Sequence, residues 1–555
     1  MKRPLLELIV WTLALLLLPF SAFSVAPAVP CADLKNVPFH NATVTSASEV
    51  SGTFTIPPPF PGFPAQTIPV PTFCRVALTV EPAINIEVWL PKTAWNQRYR
   101  GEGGGGYAGS ISYGGLVQGI NAGYATASTD TGHPASAGGT FALNPDGTLN
   151  NQLIFDFAER SLHEMVKKAK LLIYIYYGQR QVYSYWNGCS TGGRQGLMAA
   201  QRFPEEYDGY VIAAPAINWD RFIPSELWPE IVMNQELGRP ISPAKLNAFN
   251  AAAIAACDAE DGVADGVIND PRKCDYDPNA SVCQPGSNPA TCLTQAEANV
   301  VRKILDGPTD HKGRRLWFGL ERGVSTFLGL AGSTAAGDFA PFSIATTHLA
   351  YWIKQNPSFD WKTVTESSFV DDFRESQRKF NEIIGTDDPN LHRLRRHGGK
   401  VIIWHGESDQ LIFPRGTVNY YNRVLKANGG IKHVDDFARL FMAPGVAHCA
   451  GGNGPNPVGT FNAIVNWVEH GVAPDTLLAQ RSLPGGAVRT RPLCPYPKTA
   501  KWIGSGSTDD ATNFVCVDGQ HDVRDFLVRD DFKPHHGFFD HEHHEDERDE
   551  DKNER

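Results

Sequence analysis

The chain has 555 residues, which is too long for one ordinary compact core, so we expect one large domain with an insertion, or two domains. Hydrophobic residues make up 42% of it, as in ordinary globular proteins, and its 52 glycines and 40 prolines predict many loops. The net charge of −10 argues against nucleic acid as a partner, because binding to phosphates needs a basic face.

The N-terminus is typical of a secretory signal peptide. Lys2 and Arg3 form a short basic start, an apolar run follows over residues 5–20, and small residues come next. We expect a signal peptide over residues 1–24 and a secreted protein, either extracellular or periplasmic. A membrane anchor is the alternative, but the run is short for a full span. No later stretch is apolar and long enough, so no membrane partner is expected after cleavage.

The first part of the mature chain, residues 25–218, alternates β-like runs with loops and helices. Runs at 75–80 and 84–90 are broken by proline-rich loops. Four consecutive glycines at 103–106 cannot hold a regular element, and they let the backbone approach a ligand closely.

Further along, a buried strand is predicted near 123–130 and an amphipathic helix over 156–175. Residues 181–186 then predict a strand, 187–192 a tight turn and 193–202 a helix that ends before Pro204. The next strand is predicted at 211–214. Strand, turn and helix in that order indicate an α/β unit.

From residue 219 to 396 the chain becomes helical and rich in loops, so we interpret this stretch as an inserted lid domain. The catalytic domain resumes over 397–532, with buried parallel strands predicted at 399–405 and 440–444. Residues 533–555 are rich in His, Asp and Glu and predict a disordered tail.

Ten cysteines follow the predicted signal peptide, and an even number in an exported protein favours five disulfides. Their spacing includes no pair typical of a zinc site. They are Cys31, Cys74, Cys189, Cys257, Cys274, Cys283, Cys292, Cys449, Cys494 and Cys516.

The segment Gly188-Cys189-Ser190-Thr191-Gly192 fits the pattern G-x-S-x-G. In that motif a strained turn between a strand and a helix lifts the serine hydroxyl above the sheet, and the glycines remove Cβ clashes. The pattern alone is weak, but a strand before it and a helix after it favour a nucleophile over a structural turn. Ser190 is therefore the candidate nucleophile.

A nucleophilic serine needs a base and an orienting carboxylate, and in this architecture the chain order is Ser, acid, His. Asp409 follows one late predicted strand and His448 follows the next. We assign Asp409 as the acid and His448 as the base. Glu407 is the alternative acid, and His405 is expected to be a hydrogen-bonded loop histidine.

Cys189 adjoins the candidate nucleophile and Cys449 adjoins the candidate base. If Ser190 and His448 lie within hydrogen-bond reach, the two sulfurs can join, because a disulfide needs Cα atoms about 5.5 Å apart. A Cys189–Cys449 bond would hold the two catalytic loops together. The alternatives are two unrelated cysteines, or Cys189 itself as a nucleophile.

These segments together resemble the tannase and feruloyl esterase family, which combines Cys-Ser, Asp and His-Cys motifs with the disulfide just described. The resemblance rests on residues 188–196, the Asp409 loop and the His448-Cys449 pair, and it extends to residues 101–109 and 128–133. It runs from about Cys31 to Cys516 and implies an α/β-hydrolase fold with a large lid.

The chemistry of ester hydrolysis also requires an oxyanion hole with two N–H donors. Thr191, directly after the nucleophile, is expected to supply one of them. The second is expected from the glycine run, from Gly105 or Gly106.

Residues 257–268 form an acidic, glycine-punctuated loop in the lid. On composition alone an Asp-Gly turn explains it best. The resemblance instead implies a structural Ca²⁺ site, since calcium prefers six to eight oxygen ligands. The implied ligands are Asp258, Asp261 and Asp265 through carboxylates, with Val263 and Val267 through backbone carbonyls.

The resemblance, with proximity in sequence, implies the remaining cysteine pairs. These are Cys257–Cys274, Cys283–Cys292, Cys31–Cys74 and Cys494–Cys516.

The predicted function is hydrolysis of a carboxylic ester through an acyl-enzyme. The resemblance implies a small aromatic acyl ester of plant polysaccharide or polyphenol as substrate, and we favour feruloyl esters. Gallate esters, as in tannase, and a terephthalate monoester are the alternatives. Lid aromatics such as Trp228, Phe339, Phe342 and Trp352 are candidates to stack on the ring, although core packing explains each one better. A catalytically inactive, calcium-stabilised binding protein on this fold is the rival class.

Overall fold

The computed structural model describes residues 25–58, 64–324 and 329–519. The predicted signal peptide over 1–24 and the predicted tail over 533–555 lie outside these residues. Among the described residues, no helix combines the length and apolar character that a bilayer span requires.

A nine-stranded sheet organises the catalytic part of the chain, in the order β1-β2-β3-β5-β4-β6-β7-β8-β9. Strands β1, β2, β3 and β5 pair antiparallel, and from β5 through β4 to β9 the pairing is parallel. The strands are β1 (Ala42–Ile56), β2 (Gln66–Val80), β3 (Ile84–Pro91), β4 (Arg98–Glu102), β5 (Ala125–Thr129), β6 (Tyr183–Cys189), β7 (Gly209–Ala213), β8 (Lys400–Gly406) and β9 (Ala438–Ala443).

Most connections in the parallel half are helical, as the α/β class requires. The helices are α1 (Tyr113–Asn121), α2 (Asn151–Phe155), α3 (Ser161–Tyr177), α4 (Thr191–Arg202), α5 (Trp219–Ser225), α6 (Trp228–Leu237), α7 (Pro243–Cys257), α8 (Gln295–Asp306), α9 (Ser343–Thr347), α10 (Glu366–Phe380), α11 (His392–His397), α12 (Pro414–Ala427), α13 (Ile431–Val434) and α14 (Thr460–His470). Short 3-10 or π turns lie at Cys31–Asn36, Ala135–Ala142, Asp156–Arg160, Asp258–Asp261, Pro278–Ser281, His348–Ile353, Trp361–Thr363, Asn381–Gly385 and Ala511–Asn513.

Successive residues of the central strands enter two different cores, because side chains alternate across a sheet. In β6, Tyr185 packs with α14 on one face, while Trp186 packs with α3 and α4 on the other. Ile402 and Ile403 of β8 divide in the same way. Both faces are therefore covered, and all residues of β7, which lies between these two strands, are buried.

The strand-turn-helix unit predicted around Ser190 is confirmed, with β6 leading through Ser190 into α4. The strand runs three residues further than predicted and the helix begins two residues earlier. The turn is therefore a single residue rather than six.

Between β7 and β8 the described residues form the helices α5 to α11 and no strand of the main sheet. They share an apolar cluster that includes Trp219, Ile231 and Phe373, and Tyr107 and Phe157 from the catalytic part also join it. An inserted helical segment is present as expected, while the lid boundaries at 219 and 396 stay a prediction.

Five disulfides are present, and no described cysteine is free. Two small sheets lie near the C-terminus, one of β10 (Asn456–Val458), β11 (Leu477–Ser482) and β12 (Val488–Leu493), and one of β13 (Thr499–Trp502) and β14 (Phe514–Val517). The bonds are Cys31–Cys74, Cys189–Cys449, Cys257–Cys274, Cys283–Cys292 and Cys494–Cys516, with the partners expected from sequence.

Candidate active site

Ser190 occupies the turn between β6 and α4 in a strained conformation. Its φ is 63° and its ψ is −125°, a region that L-residues rarely adopt. The turn is held because Ser190 N–H donates to the Ala213 carbonyl and the Ser190 carbonyl accepts from Arg194 N–H, both at 3.0 Å. The hydroxyl thus lies at the N-terminus of α4, where the helix dipole favours negative charge.

Glycines are required at this turn because neighbouring backbone segments approach one another closely there. A Cβ on Gly188 would lie 2.4 Å from the Gly192 carbonyl oxygen, and one on Gly103 would lie 2.4 Å from the Gly192 Cα. The glycine run therefore packs directly against the start of α4, beside the serine.

His448 and Asp409 are hydrogen-bonded. His448 Nδ1 lies 2.8 Å from Asp409 Oδ2. Because an ionised carboxylate only accepts, Nδ1 carries the proton and Nε2 is left to act as a base. Burial favours the neutral imidazole, but the charge of Asp409 and its hydrogen bond outweigh burial and raise the pKa of His448.

Asp409 is 1% exposed, yet its surroundings favour the ionised form. Its Oδ1 accepts from the backbone N–H groups of Leu411 at 2.8 Å and Ile412 at 2.9 Å. Burial acts to raise the pKa of Asp409, but His448 and His405 together hold it well below its usual range.

The other two candidates in this loop take different places. His405 is fully buried, with Nδ1 2.8 Å from Thr417 Oγ1 and Nε2 3.1 Å from Asp409 Oδ2. It is a hydrogen-bonded loop histidine that supports the acid. Glu407, the alternative acid, forms no hydrogen bond with His448, and burial chiefly raises its pKa to about 8.

The loop that carries His448 crosses the end of β8 to reach Ser190. A Cβ on Gly406 would lie 2.3 Å from the Val446 carbonyl oxygen, so only glycine permits this crossing. At the far end, Cys449 is bonded to Cys189 with 5.9 Å between their Cα atoms. Among the described residues Ser190 Oγ forms no hydrogen bond, and such bonds are often long in enzymes without substrate.

Two N–H groups of the glycine run are already used. Gly103 N–H donates to the Asn187 carbonyl at 3.0 Å, and Gly104 N–H donates to Gln195 Oε1 at 2.9 Å. Neither is free for a substrate, so these two bonds fix the run against β6 and α4.

The three expected oxyanion donors remain available. The N–H groups of Gly105, Gly106 and Thr191 donate to no group within the described part of the chain. Thr191 Oγ1 donates to the Gly106 carbonyl at 2.5 Å, which joins the glycine run to the residue after Ser190. The arrangement offers backbone N–H groups on two sides of the serine, as an oxyanion hole needs.

Known proteins share this sequence and architecture. Residues 69–517 match the family model described as tannase and feruloyl esterase. The chain belongs to this family. A probable feruloyl esterase from Arthroderma benhamiae is 38% identical over 479 residues, which covers 83% of this chain and 88% of the relative.

Two solved structures are similar over 88% of this chain. Feruloyl esterase B from Aspergillus oryzae has a TM-score of 0.78 at 30% identity and is covered over 99% of its length. Tannin acyl hydrolase from Aspergillus niger has a TM-score of 0.75 at 26% identity and is covered over 94%. The predicted α/β-hydrolase fold is confirmed, and this member of the tannase and feruloyl esterase family is a carboxylic ester hydrolase.

The acidic loop of this esterase folds around its own carboxylates. Asp258 accepts from the N–H groups of Asp265, Gly266 and Val267, while Asp265 pairs with Arg491. Val263 N–H donates to the carboxylate of Asp261 at 2.9 Å. No group of three or more His, Cys, Asp or Glu side chains in the described residues is arranged as a metal site.

Lid aromatics mostly pack in the core, as expected. Trp352 is fully buried and Trp228 is 4% exposed, and both belong to the apolar cluster of the lid. Phe339 is half-buried with its ring edge-on to Trp361, and Phe342 is also half-buried. None of them is assigned to substrate by these contacts.

Three polar residues that support the site were not singled out from sequence. Gln195 binds the glycine run, Gln410 Oε1 accepts from His448 N–H at 3.0 Å, and His133 lies 2.6 Å from the Tyr107 carbonyl. Gln195 and His133 lie within motifs that resemble the family, and Gln410 directly follows the loop of the candidate acid; these positions were the only signal available.

Removing the disulfide between the catalytic loops should affect turnover as well as stability. We expect the double variant Cys189→Ala/Cys449→Ala to lose about 100-fold in kcat on an aryl ester, because a displacement of about 1 Å between reacting groups has that effect. The matched control is Cys283→Ala/Cys292→Ala, which removes a lid disulfide and should leave kcat unchanged. Melting temperature is measured for both. A folded Cys189/Cys449 variant with normal kcat would contradict this role.

Proposed function

We propose that this chain is a secreted serine feruloyl esterase in which Ser190 is the nucleophile, His448 the base and Asp409 the orienting acid. The hydrogen bond between His448 and Asp409, on a loop tied by a disulfide to the neighbour of Ser190, is the observation that carries the assignment. It also argues against an inactive binding protein on the same fold.

The proposed reaction proceeds through an acyl-enzyme. His448 Nε2 takes the proton from Ser190 Oγ as that oxygen attacks the ester carbonyl. The carbonyl oxygen becomes negative and accepts hydrogen bonds from Thr191 N–H and from Gly105 or Gly106 N–H. The imidazolium, stabilised by Asp409, gives its proton to the departing alcohol, and water then repeats the attack on the acyl carbon.

The proposed substrate class rests on similarity to known esterases. Feruloyl esterase B is similar at higher identity than the tannin acyl hydrolase, 30% against 26%, and the sequence relative is a probable feruloyl esterase. An aromatic acyl ester with a feruloyl group is therefore proposed, attached to plant polysaccharide or polyphenol.

Export is proposed from the cysteines and the N-terminal pattern. All ten cysteines of the chain are paired, and disulfides persist in oxidising compartments outside the cytoplasm. This agrees with a signal peptide over residues 1–24.

Ser190→Ala should abolish hydrolysis of a chromogenic aryl ester, since no other nucleophile is proposed. For the wild type we expect methyl ferulate to be hydrolysed faster than methyl gallate, mono(2-hydroxyethyl) terephthalate and ethyl acetate, as compared by kcat/KM. Faster hydrolysis of the gallate or of the terephthalate monoester would reassign the acyl group. Equal rates on acetyl and aromatic esters would defeat the aromatic-acyl proposal, and persistent turnover in Ser190→Ala would defeat the nucleophile.

The pH dependence should report the charge of Asp409. Only the neutral imidazole accepts a proton, so kcat/KM should rise with pH through the raised pKa of His448. Asp409→Asn removes the negative charge that raises the pKa of His448, while the burial that lowers this pKa remains. The rise in kcat/KM should therefore move to lower pH. The plateau should also fall by about 10⁴-fold, because the tautomer is no longer fixed. Glu407→Gln is the control and should leave the midpoint in place.

We also propose that the acidic lid loop binds a structural Ca²⁺ through Asp258, Asp261, Asp265 and the carbonyls of Val263 and Val267. Burial, with added repulsion from Asp265 and Asp258, raises the pKa of Asp261 to about 6, and a cation would relieve this repulsion. A cavity of about 50 Å³ adjoins Asp261, Asp265 and Val267. The oxygen donors present fit a hard divalent cation.

Calcium should raise the melting temperature of metal-depleted protein, and EDTA should lower it again, because a ligand that binds only the folded state stabilises that state. In Asp261→Asn this calcium effect should disappear. Glu260→Gln, an exposed residue of the same loop that is not a proposed ligand, should keep it. Protein that carries no calcium on metal analysis and melts identically with calcium and EDTA would end the proposal.

A further inference from the structure

The segment 128–133 resembles the family but takes no part in the proposed triad, and it ends at a buried histidine. His133 is 4% exposed, and its ring stacks on Phe141 with 3.8 Å between ring centroids. Its Nε2 lies 2.6 Å from the Tyr107 carbonyl oxygen, and its Nδ1 has no hydrogen-bond partner. A carbonyl only accepts, so the proton must reside on Nε2.

Burial lowers the pKa of His133 to about 4, so the ring is neutral at the pH of ordinary assays. A neutral imidazole with one donor and one unpartnered nitrogen is not placed to move protons in the reaction. Its 2.6 Å hydrogen bond joins it to Tyr107, which follows the glycine run directly.

From the Tyr107 carbonyl a continuous chain of hydrogen-bonded peptide groups leads to the oxyanion hole. The peptide that contains this carbonyl also contains the Ala108 N–H, which donates to the Gly105 carbonyl at 2.7 Å. The Gly105 carbonyl belongs in turn to the same planar peptide as the Gly106 N–H. In a trans peptide the N–H points opposite to the C=O, so fixing the Gly105 carbonyl fixes the direction of the Gly106 N–H.

Gly106 is held better than Gly105. The Gly106 carbonyl accepts from Thr191 Oγ1, so the peptides on both sides of Gly106 are bonded. By contrast, no described donor binds the Gly104 carbonyl, which shares a peptide with the Gly105 N–H, and Gly105 is exposed. An effective oxyanion donor is already oriented before the reaction begins. The bonds on both sides of Gly106 therefore favour its N–H over that of Gly105 as the second donor.

We propose that His133 is a positioning residue for the oxyanion hole, which donates to the Tyr107 carbonyl and thereby fixes the Gly106 N–H as the second oxyanion donor. The inference rests on the proposed function, because this N–H matters only if Ser190 attacks an ester. Successive hydrogen bonds along the chain also polarise one another, which strengthens the terminal donor.

The same segment holds the far end of the loop. Gly109 N–H donates to the Asp130 carbonyl at 3.1 Å. The Asp130 carboxylate accepts from the N–H groups of Asn85 and Gly132, both at 2.9 Å, and so keeps its own turn in place. His133 and Asp130 thus bracket the loop that follows the glycine run.

The test replaces His133 by Phe, which keeps a ring against Phe141 and removes the Nε2–H. Loss of a whole oxyanion donor costs about 10²- to 10³-fold in kcat, so loss of its support should cost about 10- to 100-fold, with KM unchanged. His133→Gln, whose amide N–H can reach the carbonyl, should recover part of that loss. The pH midpoint of kcat/KM should stay at its wild-type value, because His448 is untouched.

His348→Phe is the matched control. His348 is also fully buried, with Nε2 bonded to Ser376 Oγ at 3.0 Å and Nδ1 unpartnered, but it donates nothing to the glycine run. It should keep wild-type kcat, and melting temperatures show that each variant is folded. If His133→Phe does not fold, His133→Asn is used instead, because its amide is too short to reach the Tyr107 carbonyl. Its kcat is then compared with that of His133→Gln.

The outcomes separate this inference from the proposed function. Suppose that Ser190→Ala is inactive and that His133→Phe folds. If His133→Phe then keeps the wild-type kcat, changes only KM, or shifts the pH midpoint, the positioning role is wrong while the proposed function stands. If Ser190→Ala still turns over, the assignment of Ser190 as the nucleophile is wrong whatever His133 does.

Discussion

The whole site depends on bringing a loop from β9 across two strands to a turn on β6. The two strands are three positions apart in the sheet, and neighbouring strands lie about 4.8 Å apart, so their ends are separated by roughly 14 Å. Gly406 lets the crossing loop lie on the end of β8, and the Cys189–Cys449 bond closes the remaining gap to 5.9 Å between Cα atoms. Asp409, which follows β8, lies beneath the crossing and binds His448 where the loop passes over it.

The glycine run is constrained from the opposite side of the serine by contacts that reach the lid. The ring of Tyr107 lies in the apolar cluster of the lid, among Phe157, Trp219 and Trp352, and its hydroxyl donates to the Ile344 carbonyl. The backbone of the same residue accepts from His133. The helical insertion is therefore packed against the loop that carries the proposed oxyanion donors, so the position of these N–H groups depends on this packing as well as on the sheet.

Much of this arrangement could be predicted because the chemistry leaves a local signature. The strand, the serine turn and the helix are contiguous, and the acid and base loops each follow an apolar strand, so the order along the chain indicates the site. The pairing of Cys189 with Cys449 could be predicted because each cysteine adjoins a candidate catalytic residue. The sequence predicts only residues 75–80 of the long β1–β2 hairpin, since its half-exposed strands lack a continuous apolar run.

What could not be predicted is set by contacts distant in sequence. The proposed choice of Gly106 over Gly105 rests on Thr191 and His133, which bond to the carbonyls of Gly106 and Tyr107 from two distant segments. A local bond from Ala108 to Gly105 completes the arrangement. The support from Gln195 was equally hidden, because no sequence pattern of a glutamine within a helix indicates a backbone partner 91 residues earlier, at Gly104. Small strands such as β10, of three residues, are too short for a periodic signal.

Two buried carboxyl groups in this part of the molecule, Asp409 and Glu226, differ in whether hydrogen bonds and charges offset the effect of burial. Asp409 receives hydrogen bonds from two backbone N–H groups and from His448, and its pKa falls below the usual range despite complete burial. Glu226 is 2% exposed, its Oε2 has no described partner, and burial together with the nearby charge of Asp409 raises its pKa well above the usual range. The pKa values of the two carboxyl groups are therefore shifted in opposite directions. In the proposed reaction the ionised Asp409 would stabilise the imidazolium that forms when Ser190 gives up its proton.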